Sequence, residues 1–350
     1  MIVYLDKLQT KYIHDKGRMF DDNTSKNIIP IFYQYETNID GSVKYHGANS
    51  WVDDTTSFLK KYKEAINKTN YIPLVVDVFE ASKNFKSNVS KLSEHLETTL
   101  YVTNSDRKLY ELDAVNIKPL YCNFWANQFP ARNKILHYIP SKLYINLTRV
   151  ARPHRCELIN ELIKNNLFEE GYNTFGDAFN DAQYYKNTNP KHLLDTVTFD
   201  TLDVKDFKNV NPNNFAPLEQ CITSFLYLCT ETLVDNERMF FSEKVYKPLG
   251  LGMPFITLGN PGTLNELRKL GFKTFDKWFD ESYDNDIPIE KRIKIIINNL
   301  KDLKNRDTVS IRQEMTSTLK HNLRTYKKLQ KYNHFQEMLK ELKWKLVLSD

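Results

Sequence analysis

The sequence predicts an α/β protein with two parallel-sheet domains. At 350 residues and 41.3 kDa the chain exceeds what one ordinary core accommodates. Short apolar, β-rich runs alternate with stretches of helical character, the pattern of strands joined by crossover helices. That alternation restarts around "ARNKILHYIPS", which divides the chain into an N-terminal domain, 1–137, and a second domain, 138–318.

In the first domain "IIPIFYQY", "YIPLVVDVF", "TTLYVTNS" and "IKPLYCNFW" read as strands, separated by helix-compatible "DDTTSFLKKYKEAIN" and "SKLSEHLE". The second domain opens with "KLYINLTRVARPHRCELINELIKNNLFEEG". It reads as a strand, an arginine-bearing loop and an amphipathic helix ending near Gly171. "SFLYLCTET" and "PFITLG" are further strands. Between them "FSEKVYKPLGLGMPF" predicts a helix with Ser242 as N-cap. In "GTLNELRKLGFKTFDKWFDESYD", Leu264, Leu267 and Leu270 have core spacing, Gly271 stops the helix, and Phe272 and Phe275 continue as buried packing. The last forty residues read as one or two helices, and 319–350 form a basic helical segment.

Composition excludes several classes. Hydrophobic residues at 41% and charged residues at 27% describe a globular protein, and no apolar run reaches the roughly 18 residues of a membrane span. The N-terminus has charges within its apolar stretch and no small-residue cleavage site, so a cytoplasmic location is expected. Cys122, Cys156, Cys221 and Cys229 lack CxxC spacing, which favours reduced, buried thiols over disulfides or zinc ligands. The net charge of +5 is uneven: Lys320–Lys345 contains eight Lys/Arg against Glu337 and Glu341. Such a segment suits a polyanion, and equally a solvated helix face.

In an open α/β sheet, ligands bind beyond the carboxyl ends of the strands. Arg149, Arg152 and Arg155 cluster between a strand and a helix, where guanidinium forks and the helix end suit a phosphate or pyrophosphate; pairing with local acids is the other reading. Glu243 and Lys244 fall in the first turn of the helix capped by Ser242. There a carboxylate can accept both hydroxyls of a ribose and a lysine can reach a phosphate. Half of the ten glycines, at 250, 252, 259, 262 and 271, lie within 22 residues behind this pair. Those at 250, 252, 259 and 262 are expected to let the helix and loops close around a ligand.

The stretch "ERMFFSEKVYKPLGLGMPFITLGNPGTLNELRKLGFKTFDKWFDESYD" resembles the nucleotide-sugar motif of fucosyltransferase-like GT-B glycosyltransferases, many of them encoded by phages and large viruses. "NLTRVARPHR" resembles that family's strand-then-arginine segment, and the likeness covers roughly 141–285. The family motif more often has threonine where this chain has Ser242, which leaves the cap intact. The resemblance implies two Rossmann-like domains facing a cleft, with the C-terminal helices crossing back onto the first. It also implies a nucleotide-diphosphate sugar as donor substrate, with no separate cofactor. Glu243 would bind the ribose, Lys244 the phosphates, and one of Arg149, Arg152 and Arg155 the pyrophosphate.

An inverting transfer needs a base for the acceptor hydroxyl. Glu80 and Asp77, at the end of "LVVDVFEAS", and His46, in "YHGANSW", are the candidates. The D-x-D at Asp284–Asp286 reads as a solvated acidic loop, so the expected chemistry is metal-independent, with arginines and Lys244 neutralising the leaving diphosphate. Trp51, Trp125 and Trp278 could stack on a sugar or base, although core packing is commoner for such residues. Two acceptors are open, a hydroxymethylated pyrimidine in double-stranded phage DNA, which places the protein in the host cytoplasm, and a glycan or lipopolysaccharide. A non-catalytic nucleic-acid-binding protein is the alternative from another class.

Overall fold

The computed structural model describes residues 139–148, 152–175, 216–235 and 239–331 continuously. Before residue 139 it describes six strands and isolated positions between 90 and 132. The chain forms two compact units, 1–124 with 237–240 and 332–350, and 125–236 with 241–331.

In the first unit, β1 (Ile28–Phe32), β4 (Ile72–Val76), β5 (Leu100–Asn104) and β6 (Ile117–Tyr121) form a wholly parallel sheet in that order. These are the four apolar runs of the sequence pattern. A small antiparallel pair, β2 (Tyr35–Thr37) and β3 (Val43–Tyr45), was not foreseen.

The second unit is again a parallel sheet, of β7 (Lys142–Thr148), β8 (Gly171–Phe175), β9 (Ser224–Thr230) and β10 (Phe255–Leu258), in the order β10-β9-β7-β8. Both central strands are rich in apolar residues, and β9 is buried along its whole length. Its helices are α1 (Pro153–Lys164), the short α2 (Leu218–Ile222), α3 (Glu243–Leu251), α4 (Thr263–Lys269), α5 (Ile289–Lys304) and α6 (Thr308–Lys331). α5 packs on α1 and α6 on α3.

One expectation fails here. The helix after β7 ends at Lys164, and Gly171 begins β8. A Cβ at Gly171 would lie 2.3 Å from the ring of Tyr144 on β7, so the glycine serves close strand approach and not helix termination. Strand β8 matters because it places β7 in the interior. The chain leaves β7 toward β8 on one side, then returns to β9 on the other and continues to β10. This reversal between β7 and β9 is a topological switch point, and right-handed crossovers put α1 and α3 on opposite faces of the sheet.

The glycine cluster divides into distinct jobs. Gly252 is the left-handed C-cap of α3 (φ 66°), a conformation that a side chain strains. Gly250 is a packing position, since a Cβ there would lie 2.8 Å from Tyr326 and 2.9 Å from Phe129. These two therefore shape helix α3 and its packing, in place of the expected ligand closure. Leu264, Leu267, Phe272 and Phe275 are buried as expected, while Leu270, the C-cap of α4, is half-buried. No helix among the described residues is long and apolar enough to cross a membrane.

Candidate functional site

The carboxyl ends of β7 and β9 lie side by side at the switch point, where the hydroxyls of Thr148 and Thr230 are 3.3 Å apart. Both threonines are buried, so the ends of the two central strands present hydroxyls and backbone carbonyls. The chain continues from Thr230 into Glu231 and Thr232, and the predicted residues of α1 and α3 converge on these three.

From α1, the Arg152 guanidinium donates to the Thr232 carbonyl (2.9 Å). Arg155 is buried and donates to the carbonyls of Thr230 (3.1 Å) and Glu231 (3.0 Å). His154 places Nε2 3.0 Å from the Glu231 carbonyl. Burial, then the neighbouring Arg155, pushes the His154 pKa down to about 3, so the ring is neutral at pH 7 and donates through Nε2. The start of α1 has an arginine as N-cap, Pro153 in its first turn, no side-chain cap and no acid. It is therefore a positive edge.

From α3, Ser242 is the N-cap that the sequence predicts, accepting from the Lys244 amide (3.2 Å). The Lys244 ammonium lies 3.3 Å from the Thr232 hydroxyl, 3.2 Å from the Ser242 hydroxyl and 3.1 Å from a Glu243 carboxylate oxygen. Both side chains of this ion pair keep partial exposure, 18% for Lys244 and 12% for Glu243. Burial alone would raise the Glu243 pKa, but Lys244 and then Lys247 outweigh it and hold the carboxyl below its usual range. Burial lowers the pKa of Lys247, one turn further along α3.

Thus Arg152, Arg155, Ser242, Glu243 and Lys244, drawn from segments some ninety residues apart, meet around residues 230–232. Arg152 and Lys244 both reach Thr232, one through its carbonyl and one through its hydroxyl. Arg149, His46, Asp77, Glu80, Trp51 and Trp125 lie outside the described residues. Trp278 is half-buried and donates its indole N–H to Glu314 (3.0 Å), away from these residues in both sequence and partner.

One carboxylate that the sequence reading passed over, Glu231, completes the region, and one that it placed in solvent, Asp284, is buried at the start of α4. Glu231 is fully buried and accepts from the Ser242 hydroxyl, from the Ser242 and Val245 amides (3.3 Å each) and from the Thr232 amide (3.3 Å). Its position directly after an apolar strand was the available signal. Asp284, expected in a solvated loop, is instead buried and accepts from the Leu264 amide (2.9 Å) at the start of α4. Burial raises its pKa to about 7, although that amide and Arg292 work against the shift. Arg292, buried on α5, donates to the Tyr283 carbonyl (2.6 Å) and links this loop to the segment after β9 through Val234 (3.5 Å). The D-x-D is thus split, with Asp284 inside and Asp286 exposed.

No family model matches the chain, and no curated protein does. Among solved structures, a similar chain is the DNA-modifying enzyme β-glucosyltransferase, crystallised in the presence and absence of its substrate uridine diphosphoglucose. It is 12% identical over 91% of this chain and 98% of that one, with a TM-score of 0.35, too low to carry an inference.

Proposed function

We propose that the chain is a glycosyltransferase that holds a nucleotide-diphosphate sugar at the β7/β9 switch point. The observation that carries this reading is the meeting of Arg152 and Lys244 on Thr232, beside the Glu243 carboxylate. Two cations at the carboxyl ends of central strands suit a diphosphate, and a carboxylate next to them suits the two hydroxyls of a ribose. Lys244 then serves the phosphates and Glu243 the ribose. Arg152, with Arg149 three residues before it in the sequence, serves the pyrophosphate. Arg155, already donating to two backbone carbonyls, holds α1 against β9.

In this reading the two sheet-bearing units are the Rossmann-like halves of a GT-B enzyme, and the N-terminal one binds the acceptor. One of Asp77, Glu80 and His46 takes the proton of the acceptor hydroxyl in an inverting displacement. The negative charge on the departing diphosphate is met by fixed cations, so the reaction proceeds without a divalent metal.

For the acceptor, double-stranded DNA carrying a hydroxymethylated pyrimidine is favoured by α6. Lys320, Arg324 and Lys328 recur at four-residue spacing and are all exposed, and no acid follows Glu314 before the end of the helix. Successive members of such a stripe are about 6 Å apart, a spacing compatible with neighbouring phosphates along a strand. A neutral glycan acceptor would leave that stripe without a partner.

The reading is tested by thermal shift and donor hydrolysis with UDP-, GDP-, ADP- and CMP-linked sugars, with and without magnesium. A selective, magnesium-independent response to one nucleotide is expected. Silence toward all four removes the glycosyltransferase reading in favour of a non-catalytic nucleic-acid-binding protein.

A further inference from the structure

We infer that Glu231 is a positioning residue for the donor site: its buried carboxylate occupies the N-terminus of α3 and so sets the place of Ser242 and Lys244. The inference deepens the nucleotide-sugar reading and rests on it for the identity of the ligand.

The backbone of Glu231 is fixed from two sides. Its amide donates to the Leu258 carbonyl of β10 (2.9 Å), and its carbonyl accepts from His154 and Arg155 at the start of α1. The side chain passes over Gly259, where a Cβ would stand 3.3 Å from the Glu231 Cγ. The carboxylate then accepts from the Ser242 hydroxyl and from the amides of Ser242, Val245 and Thr232. One residue therefore joins β10, α1 and α3 at the switch point.

A specific consequence follows for ligand recognition. Helix N-termini offer free amides to anions. On α3 two of those groups have internal partners, because the Val245 amide donates to Glu231 and the Lys244 amide to Ser242. A diphosphate at this site is accordingly held chiefly by the Lys244 side chain, since those two amides are already engaged. The Ser242 hydroxyl donates to Glu231 while its oxygen accepts from the Lys244 amide and ammonium, so it transmits the position of the carboxylate to the lysine.

Glu231→Gln tests this, since the amide keeps the shape but turns one acceptor oxygen into a donor facing other donors. The first readout needs no ligand: acylation of lysines by acetic anhydride, followed by mass spectrometry, with exposed Lys301 as internal reference. Labelling of Lys244 relative to Lys301 is expected to rise about threefold or more in a folded Glu231→Gln protein, because the anchored ammonium is released. Unchanged Lys244 labelling overturns the proposal. Should Glu231→Gln fail to fold, Glu231→Asp, which withdraws the carboxylate from Ser242 while leaving the Ser242–Lys244 contact in place, carries the same two outcomes.

The second readout is affinity for UDP, GDP, ADP and CDP in wild type, Glu231→Gln, Lys244→Ala and the double variant. Glu231→Gln is expected to weaken binding about tenfold, and the double variant to bind no more weakly than Lys244→Ala alone. Additive losses would mean that Glu231 does not act through Lys244. Changed labelling in a protein whose wild type binds no nucleotide would leave the positioning intact and remove the glycosyltransferase reading.

Discussion

Replacing Gly250 with alanine separates two forces that act on α3 with opposite sign. Helix propensity favours the alanine by about 1 kcal/mol. Packing opposes it, because the added Cβ would lie 2.8 Å from Tyr326 Cε1 and 2.9 Å from Phe129 Cδ1. Neither ring can step aside freely. Both are fully buried, and the Tyr326 hydroxyl donates to the carbonyls of Ala126 (2.8 Å) and Phe129 (2.7 Å) while its ring stacks on Tyr246 with centroids 5.9 Å apart. Overpacking of this kind costs about 1–3 kcal/mol, and two obstructing rings put the cost near about 3, for a net loss of about 2 kcal/mol. In a unit of this size, that lowers Tm by about 4–8 °C. Differential scanning calorimetry of wild type and Gly250→Ala measures it. A variant as stable as wild type, or more stable, would refute the packing role and leave propensity as the stronger force.

Opposite pH slopes are expected from two buried groups. Asp284, with its folded pKa raised from 3.8 to about 7, contributes stability that is present below pH 3.8 and lost as pH rises to about 7. His154, with its pKa lowered from 6.5 to about 3, contributes stability that is present above pH 6.5 and lost as pH falls toward 3. The two nearly cancel between pH 4 and 6.5, so Asp284→Asn should make stability climb with pH and His154→Gln should make it decline. Each slope is at most about 1.4 kcal/mol per pH unit, read from urea unfolding at several pH values; parallel profiles would contradict it. Tyr326→Phe should cost about 1 kcal/mol, near the low end for a lost buried hydroxyl, because Gln330 also donates to the same two carbonyls. Replacing Lys320, Arg324 and Lys328 by glutamine should reduce the salt dependence of duplex DNA binding by up to about 2.7 in log–log slope, with nucleotide affinity unchanged.

The sequence patterns that proved legible are those with local causes. All four apolar runs of the N-terminal half are strands, and Ser242 caps α3 because a serine hydroxyl satisfies an amide that the helix itself cannot. What escaped the sequence depends on distant partners. "GYNTF" is too polar to announce a strand, yet Asn173 is buried through bonds to the Tyr144 hydroxyl (3.2 Å) and the Phe168 carbonyl (2.9 Å). Without β8 the switch point could not be located. Asp284 read as a surface acid and Glu231 was not singled out, since their sequence neighbourhoods do not reveal that amides 11 and 20 residues away would enclose them. Gly250 read as a ligand-facing glycine because its obstructing neighbours, Phe129 and Tyr326, lie more than seventy residues off in either direction.

The central claim is that Lys244 and Glu243 at the switch point hold a nucleoside diphosphate. Isothermal titration calorimetry of wild type, Lys244→Ala and Glu243→Ala with UDP, GDP, ADP and CDP tests it most directly. We expect one nucleotide to bind the wild type, each substitution to weaken it about tenfold or more, and both variants to stay folded, because both side chains retain access to solvent. Affinity that survives both substitutions, or loss that tracks unfolding of the variants, would contradict the account.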